Sequence, residues 1–298
     1  MSVLRGPVAA SPWLHLAVGL GAFLVAYGPL LPALIWEWSE FPSLSHGFAI
    51  PLISAYLVWI RRERLAALPV QGSAAGLPLL LLALFLLVGG VLVGEPFVAR
   101  LALVPGVFGV TLFLAGPAIT GTIWMALAYL VFMIPMPYTV LKSVMYQSRL
   151  MDAAATAQIM TWLGVPVHRD GVLLHLANIT LEVADDCSSI PAMAALIALG
   201  AAYAQVGERP RWARLFLTVG AAPLGLMSNI ARIVLTSLGA YYFGRIVLDN
   251  VIHKAAGTTV FLVTVGLLVG IDALARHWVQ RRADAAPPTP APAPEPGA

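Results

Sequence analysis

The chain has 298 residues, of which 60% are hydrophobic and 10% charged, with a mean hydropathy of +0.87. Soluble domains carry about 25% charged and about 45–50% apolar residues, and one core of this size cannot hide such an excess. Composition therefore excludes a soluble enzyme, a disordered chain and a disulfide scaffold, and it supplies apolar sequence for roughly eight bilayer spans of ~20 residues each.

Residues 6–36 carry no charge. That run exceeds the ~7–15-residue apolar core of a signal peptide, so it predicts an uncleaved first span. A second span covers 41–60 and stops at Arg61-Arg62-Glu63-Arg64, and a Leu-rich third covers 77–94. The charge-free run 101–141 is too long for one helix. Gly116-Pro117 breaks it into spans near 99–116 and 121–135. Further spans are expected at 189–207, at 215 to about 240 and at about 255–274. Between the fifth and sixth lies the insertion 136–188. Its first half, Tyr138 to Leu163, reads as a helix along the membrane surface, with Leu141, Met145, Leu150 and Met160 interleaved with Lys142, Arg149 and Asp152. Its second half reads as a small hairpin, with Asp170-Gly171 at the turn and apolar alternation at Ile179, Leu181 and Val183. The expected fold is an all-α polytopic membrane domain over 1–282, followed by a disordered Ala/Pro tail over 283–298.

The arginine clusters at 61–64, 209–214 and 276–282 fall on one face if the amino terminus is cytoplasmic, and that face is then the inner one. Seventeen Lys and Arg spread in this way form no basic stripe, so the net charge of +3 carries no expectation of nucleic-acid binding. No cluster has metal-ligand spacing, and neither a metal nor a cofactor is expected.

Cys187 is the only cysteine, so no intrachain disulfide can form. A lone cysteine in a membrane protein is more often a small buried hydrophobe than a nucleophile. Here its neighbours Asp185, Asp186, Ser188 and Ser189 are polar. The stretch Ser188 to Pro191 also opens a helix, whose free N–H groups and dipole favour a thiolate. The two aspartates oppose this, so a cation is needed nearby. Arg232 interrupts an apolar run on the outer side of the seventh span, where an arginine costs roughly 2.5 kcal/mol or more. A snorkelling, purely structural arginine is the competing reading. His253 stands in the next outer connection, where a histidine is ordinarily solvated. Under the charge-derived topology Cys187, Arg232 and His253 share one membrane level. A thiol, an oxyanion-stabilising cation and a base are the parts acyl transfer requires. His46, at the outer end of the second span, lines the same site or only starts a helix. His168 and His175 on the hairpin are expected to be solvated.

Several stretches together resemble the exosortase/archaeosortase family of membrane-embedded cysteine transpeptidases. They are Ser45-His46-Gly47-Phe48 with Pro51, Ser54 and Tyr56; Pro135-Met136-Pro137; Leu181-Glu-Val-Ala-Asp-Asp-Cys187-Ser; Asn229-Ile-Ala-Arg232-Ile; and His253-x-x-x-Gly257 with Phe261. They cover roughly residues 40–270. Where the family commonly shows Cys-Ser-Gly, this chain has Cys187-Ser188-Ser189. The resemblance implies a catalytic Cys187, Arg232 and His253, supported by His46, Asp186, Ser188 and Asn229. The implied substrates are exported proteins whose carboxy-terminal sorting signal is a short Pro-Glu-Pro-type motif, a transmembrane helix and a basic cluster. The implied place is a bacterial inner membrane, with the site on the periplasmic side. A transporter or polysaccharide-export subunit, with Arg232 and His253 binding an anionic substrate, is the rival reading. A non-catalytic scaffold is the third.

Overall fold

The computed structural model describes residues 21, 23, 25–207 and 209–284; the side chains of Tyr138, Asp186, Asn250, Val251, His253, Lys254 and residues 282–284 are not among the described ones. Most of the expected first span therefore lies outside the described residues, as does nearly all of the 283–298 tail. The helices are α1 (Leu30–Glu40), α2 (Ala49–Trp59), a single turn α3 (Arg62–Ala66), α4 (Gly76–Val93), α5 (Pro96–Leu101), α6 (Leu103–Ala115), α7 (Pro117–Tyr129), α8 (Tyr138–Trp162), α9 (Ser189–Gln205), α10 (Arg211–Phe243) and α11 (Asn250–Asp284). The strands are β1 (Val167–Asp170), β2 (Leu173–Leu176) and β3 (Thr180–Glu182).

Four helical stretches among the described residues are long and apolar enough to cross a membrane: 76–93, 96–115, 211–248 and 255–281. Two shorter apolar ones cover 117–133 and 189–205. This is an all-α, multi-pass membrane protein, although fewer than eight helices reach spanning length among the described residues. The expected second span is not one helix: a 3-10 segment (Pro42–Phe48) precedes α2, because Pro42 cannot continue α1. The break at Gly116-Pro117 is present. Gly116 takes φ +88°, closed to residues with a Cβ, and Pro117 opens α7.

Among the described residues two large apolar cores, and a smaller one around Ala204, Leu217 and Leu268, organise the molecule. One joins α1, α2, α4–α7 and the carboxy-terminal half of α9 around Leu34, Trp38, Ile50, Leu57 and Ala198. The other joins α8, the sheet and α10 around Met160, Val165, Leu174, Val183 and Ile233. The insertion departs from expectation in two ways. The hairpin is a three-stranded antiparallel meander in the order β1-β2-β3, with Asp170 paired to Leu173 and Leu174 to Leu181. The third strand forms because Leu174 and Leu181 bury side by side on one face, and leaving Leu181 unpaired would strand its backbone groups there. His168 is exposed and stacks on half-buried His175.

The second departure is α8, which packs against α9, α10 and the sheet rather than presenting its polar residues to an open surface. Met145, Ser148, Asp152, Thr156 and Met160 recur every three or four residues and are all buried, so one face of α8 carries a carboxylate into the protein. Helices α9 and α10 meet closely through glycine. A Cβ on Gly200 would lie 2.7 Å from the Leu217 carbonyl oxygen, and one on Gly225 would lie 2.7 Å from the Met193 Cα. As position 200 faces 217 and position 193 faces 225, the pair is antiparallel. Extending that register brings the start of α9 opposite residue 229.

Candidate active site

Cys187 ends a short 3-10 turn (Asp185–Cys187), reached directly from β3. Its N–H donates to the Ala184 carbonyl at 2.9 Å, and the Ser188 N–H donates to Asp185 at 3.0 Å. Ser188 is extended and caps α9, its hydroxyl accepting from the Ile190 N–H at 3.3 Å. The expected helix start behind the thiol is therefore present. Cys187 is half-buried against the second core and is not disulfide-bonded.

Beneath this turn lies a network fed by three helices. Asp152 of α8 has no solvent exposure. It accepts from the Ser189 N–H at 2.8 Å, the Ser189 hydroxyl at 2.5 Å, the Ser148 hydroxyl at 3.3 Å and Asn229 Nδ2 at 3.2 Å. The same Asn229 Nδ2 donates to the Cys187 carbonyl at 2.7 Å and to the Ser189 hydroxyl at 3.2 Å. Burial pushes the Asp152 carboxyl above its ordinary range, and the donors from Ser189, Ser148 and Asn229 pull it part of the way back. Ser189, the residue at which the chain departs from Cys-Ser-Gly, thus contributes both its backbone and its hydroxyl to the carboxylate.

A cation near the acids is also present, and it is Arg149 of α8. Its guanidinium donates to Asp185 at 2.6 Å, to Glu182 at 2.8 Å and to the Val183 carbonyl. It balances the acid of the nucleophile turn and ties the end of β3 to α8. The side chain of Asp186 lies outside the described residues.

Arg232 stands one turn beyond Asn229 on α10 and is half-buried. Its side chain lies over α11: a Cβ on Gly257 would sit 3.4 Å from Arg232 Cδ and 3.5 Å from Nη1. Below it the two helices are also joined by the buried Thr264 and Ser228 hydroxyls at 2.8 Å. His253 lies one helical turn before Gly257 and shares its face of α11; its side chain is outside the described residues. His46 occupies the wall of a cavity of about 370 Å³, together with Ile190 and Pro191 of the turn that follows Cys187. Its ring is held by hydrogen bonds to the backbone of Ser43 and Phe132.

The structure therefore joins Cys187, Ser189, Asn229 and Asp152 in one hydrogen-bonded unit with Ser188 capping the helix behind the thiol, brings Arg232 to the helix of His253, and sets His46 on a cavity shared with Ile190 and Pro191. Residues 38–270 match the sequence profile of transmembrane exosortases. The chain belongs to the transmembrane exosortase family. No curated protein and no solved structure matches it.

In this exosortase, sequence reasoning passed over Asp152, Ser189 and Arg149. Asp152 was legible in principle, because the spacing 145, 148, 152, 156, 160 puts it on the same helical face as two methionines. Reading the helix as a surface amphipath assigns Asp152 to the polar residues interleaved with those methionines instead.

Proposed function

We propose that this exosortase is a membrane cysteine transpeptidase that cuts the carboxy-terminal sorting signal from exported proteins. The observation that carries the proposal is Asn229. Its side chain holds the Cys187 carbonyl at 2.7 Å, while one turn further on Arg232 rests against the helix of His253. The Cys187 thiolate attacks the scissile carbonyl carbon, forming the carbon–sulfur bond and an oxyanion. Arg232 stabilises the thiolate or the oxyanion. As the carbon–nitrogen bond breaks, His253 protonates the leaving amine and then takes a proton from the acceptor that attacks the thioester.

A second cavity, of about 440 Å³, reaches the site from the side of Asp185 and shares Leu44, Phe97, Pro135 and Met136 with the one holding His46. Apolar walls with Lys142 and the Glu37–Arg100 pair at one end suit a short polar motif followed by an apolar helix. The charge-derived orientation makes this the outer end, which for an exosortase of a bacterial inner membrane is the periplasmic side.

Cys187→Ala, expressed with a tailed substrate, is the test. Processing is expected to stop, and wild-type protein is expected to give a substrate-linked thioester on Cys187 that hydroxylamine releases. Continued processing by Cys187→Ala would overturn the reading.

A further inference from the structure

Three of the five residues that precede Cys187 are held by one side chain. Arg149 of α8 donates through Nε to the Val183 carbonyl, through Nη1 to Asp185 at 2.6 Å and through Nη2 to Glu182 at 2.8 Å. A surface ion pair is the plain reading of such contacts, and exposed pairs add little to stability. The exposures argue against it. The Glu182 and Asp185 side chains are 60% and 64% exposed, whereas the Arg149 side chain is only 11% exposed. Val183, whose carbonyl takes the third bond, is buried. A planar fork spread over a strand end, a main-chain carbonyl and a turn fixes the path of a backbone, which a point charge in water does not do.

The other flank of Cys187 is tied to the same helix. Three residues on from Arg149, Asp152 accepts from the Ser189 N–H at 2.8 Å and from the Ser189 hydroxyl at 2.5 Å. Between these anchors the Cys187 N–H donates to Ala184 and the Ser188 N–H donates to Asp185. The nucleophile therefore rides on a short span, 185–189, whose two ends are both fastened to α8, and α8 is itself packed against α9, α10 and the sheet. A reacting atom carried on a rigid element is held more precisely than one on a free loop.

We propose that Arg149 is a positioning residue for the cysteine chemistry. It acts through Val183 and Asp185 to hold the Cys187 sulfur in line with the scissile carbonyl, and does not itself touch substrate. This inference rests on the transpeptidase reading above. Three N–H groups of Arg149 are committed to residues 182–185, which leaves the oxyanion to Arg232, so the two arginines do different work.

The test uses the full chain in detergent with a tailed substrate, at temperatures well below the melting point of each variant. Single-turnover formation of the Cys187 thioester at saturating substrate is compared with alkylation of the same thiol by iodoacetamide. Arg149→Met keeps the aliphatic stem and removes the fork. Thioester formation is expected to fall about 10- to 100-fold, because a displacement of about 1 Å can cost a hundredfold. KM should change little, and alkylation, which needs no aligned carbonyl, should be no slower than in wild type. Arg149→Lys reaches one acceptor at a time and should recover part of the rate. Asp185→Ala alters an exposed side chain and should fold. It loses rate by the same route, so Arg149→Met combined with Asp185→Ala should be no slower than Arg149→Met alone. Should Arg149→Met fail to fold, Arg149→Lys takes its place in that cycle. Full-rate thioester formation in the Arg149 variant, with only the melting temperature lowered, would make the contact structural and overturn the proposal. So would alkylation slowed in step with thioester formation, which would place the effect on the reactivity of the thiol, and so would losses that multiply in the double variant. Absence of the thioester in wild-type protein would instead overturn the transpeptidase reading, and this inference with it.

Discussion

The deepest test of the site acts on Asp152, which no substrate need touch. Two of the donors that meet Asp152 Oδ2, the Ser189 N–H and Asn229 Nδ2, cannot reverse their role, whereas the Ser189 hydroxyl on Oδ1 can. Asp152→Asn can therefore keep an oxygen facing the two fixed donors and turn its NH2 toward Ser189, whose hydroxyl rotates to accept. Every bond survives, and the charge assistance lost on two of them is set against relief from burying that charge, which already raises the carboxyl, so the net change is small, within about 1 kcal/mol. Asp152→Ala removes the acceptor. It strands the Ser189 N–H in a buried site and frees Asn229 to swing away from the Cys187 carbonyl, a cost of about 4 kcal/mol. If half of that falls on the geometry of the nucleophile turn, processing slows roughly 30-fold. Melting temperature and processing rate are expected to stay close to wild type in Asp152→Asn and to fall well below both in Asp152→Ala. Because Cys187 is the only thiol in the chain, its alkylation rate checks that the turn is still present in each variant. Wild-type behaviour in Asp152→Ala, or an Asn variant worse than the Ala one, would refute the argument.

Three further outcomes are expected. Gly257→Ala places a methyl group at ordinary contact distance from Arg232, so the variant should process substrate normally. Gly257→Leu should displace the guanidinium and lower kcat with little change in melting temperature, and equal rates for the two variants would separate Arg232 from the reaction. Arg232→Lys keeps the charge but loses the forked donors, and a fall of at least about 100-fold in thioester formation is expected; near-normal rates would remove Arg232 from the oxyanion role. The pH response follows from Asp152, whose carboxyl is raised above its ordinary 3.8 by burial. The folded state then holds the proton more tightly than the unfolded chain, so the stabilisation is complete below pH 3.8 and is lost as pH rises through the raised value. Melting temperatures from pH 3.5 to 7 should show this decline in wild type, and Asp152→Asn should flatten it.

Much of the architecture was legible in sequence because a bilayer imposes its rule locally. Long apolar runs at 77–94, 215–240 and 255–274 located the helical stretches 76–93, 211–248 and 255–281, and Gly116-Pro117 marked its break, since each signal is complete within about twenty residues. The motif residues were legible by type and order. The insertion was read less well. The spacing of β3 was visible, but its pairing depended on Leu174 and Leu181 burying together against α8. The identity of the balancing cation was also hidden, because Arg149 reaches Asp185 across 36 positions of sequence.

The sequence by itself determined that the chain enters a membrane, that it has one thiol set among polar residues, and that its arginines segregate to particular connections. These follow from composition and from neighbours along the chain. Only the tertiary structure decided that α8 turns a carboxylate inward, and that Asn229 serves both Asp152 and the Cys187 carbonyl. Hydrogen bonds act over about 3 Å, so they depend on which helix faces which. Here the close glycine contacts between α9 and α10 fix that relation, and no local pattern encodes it.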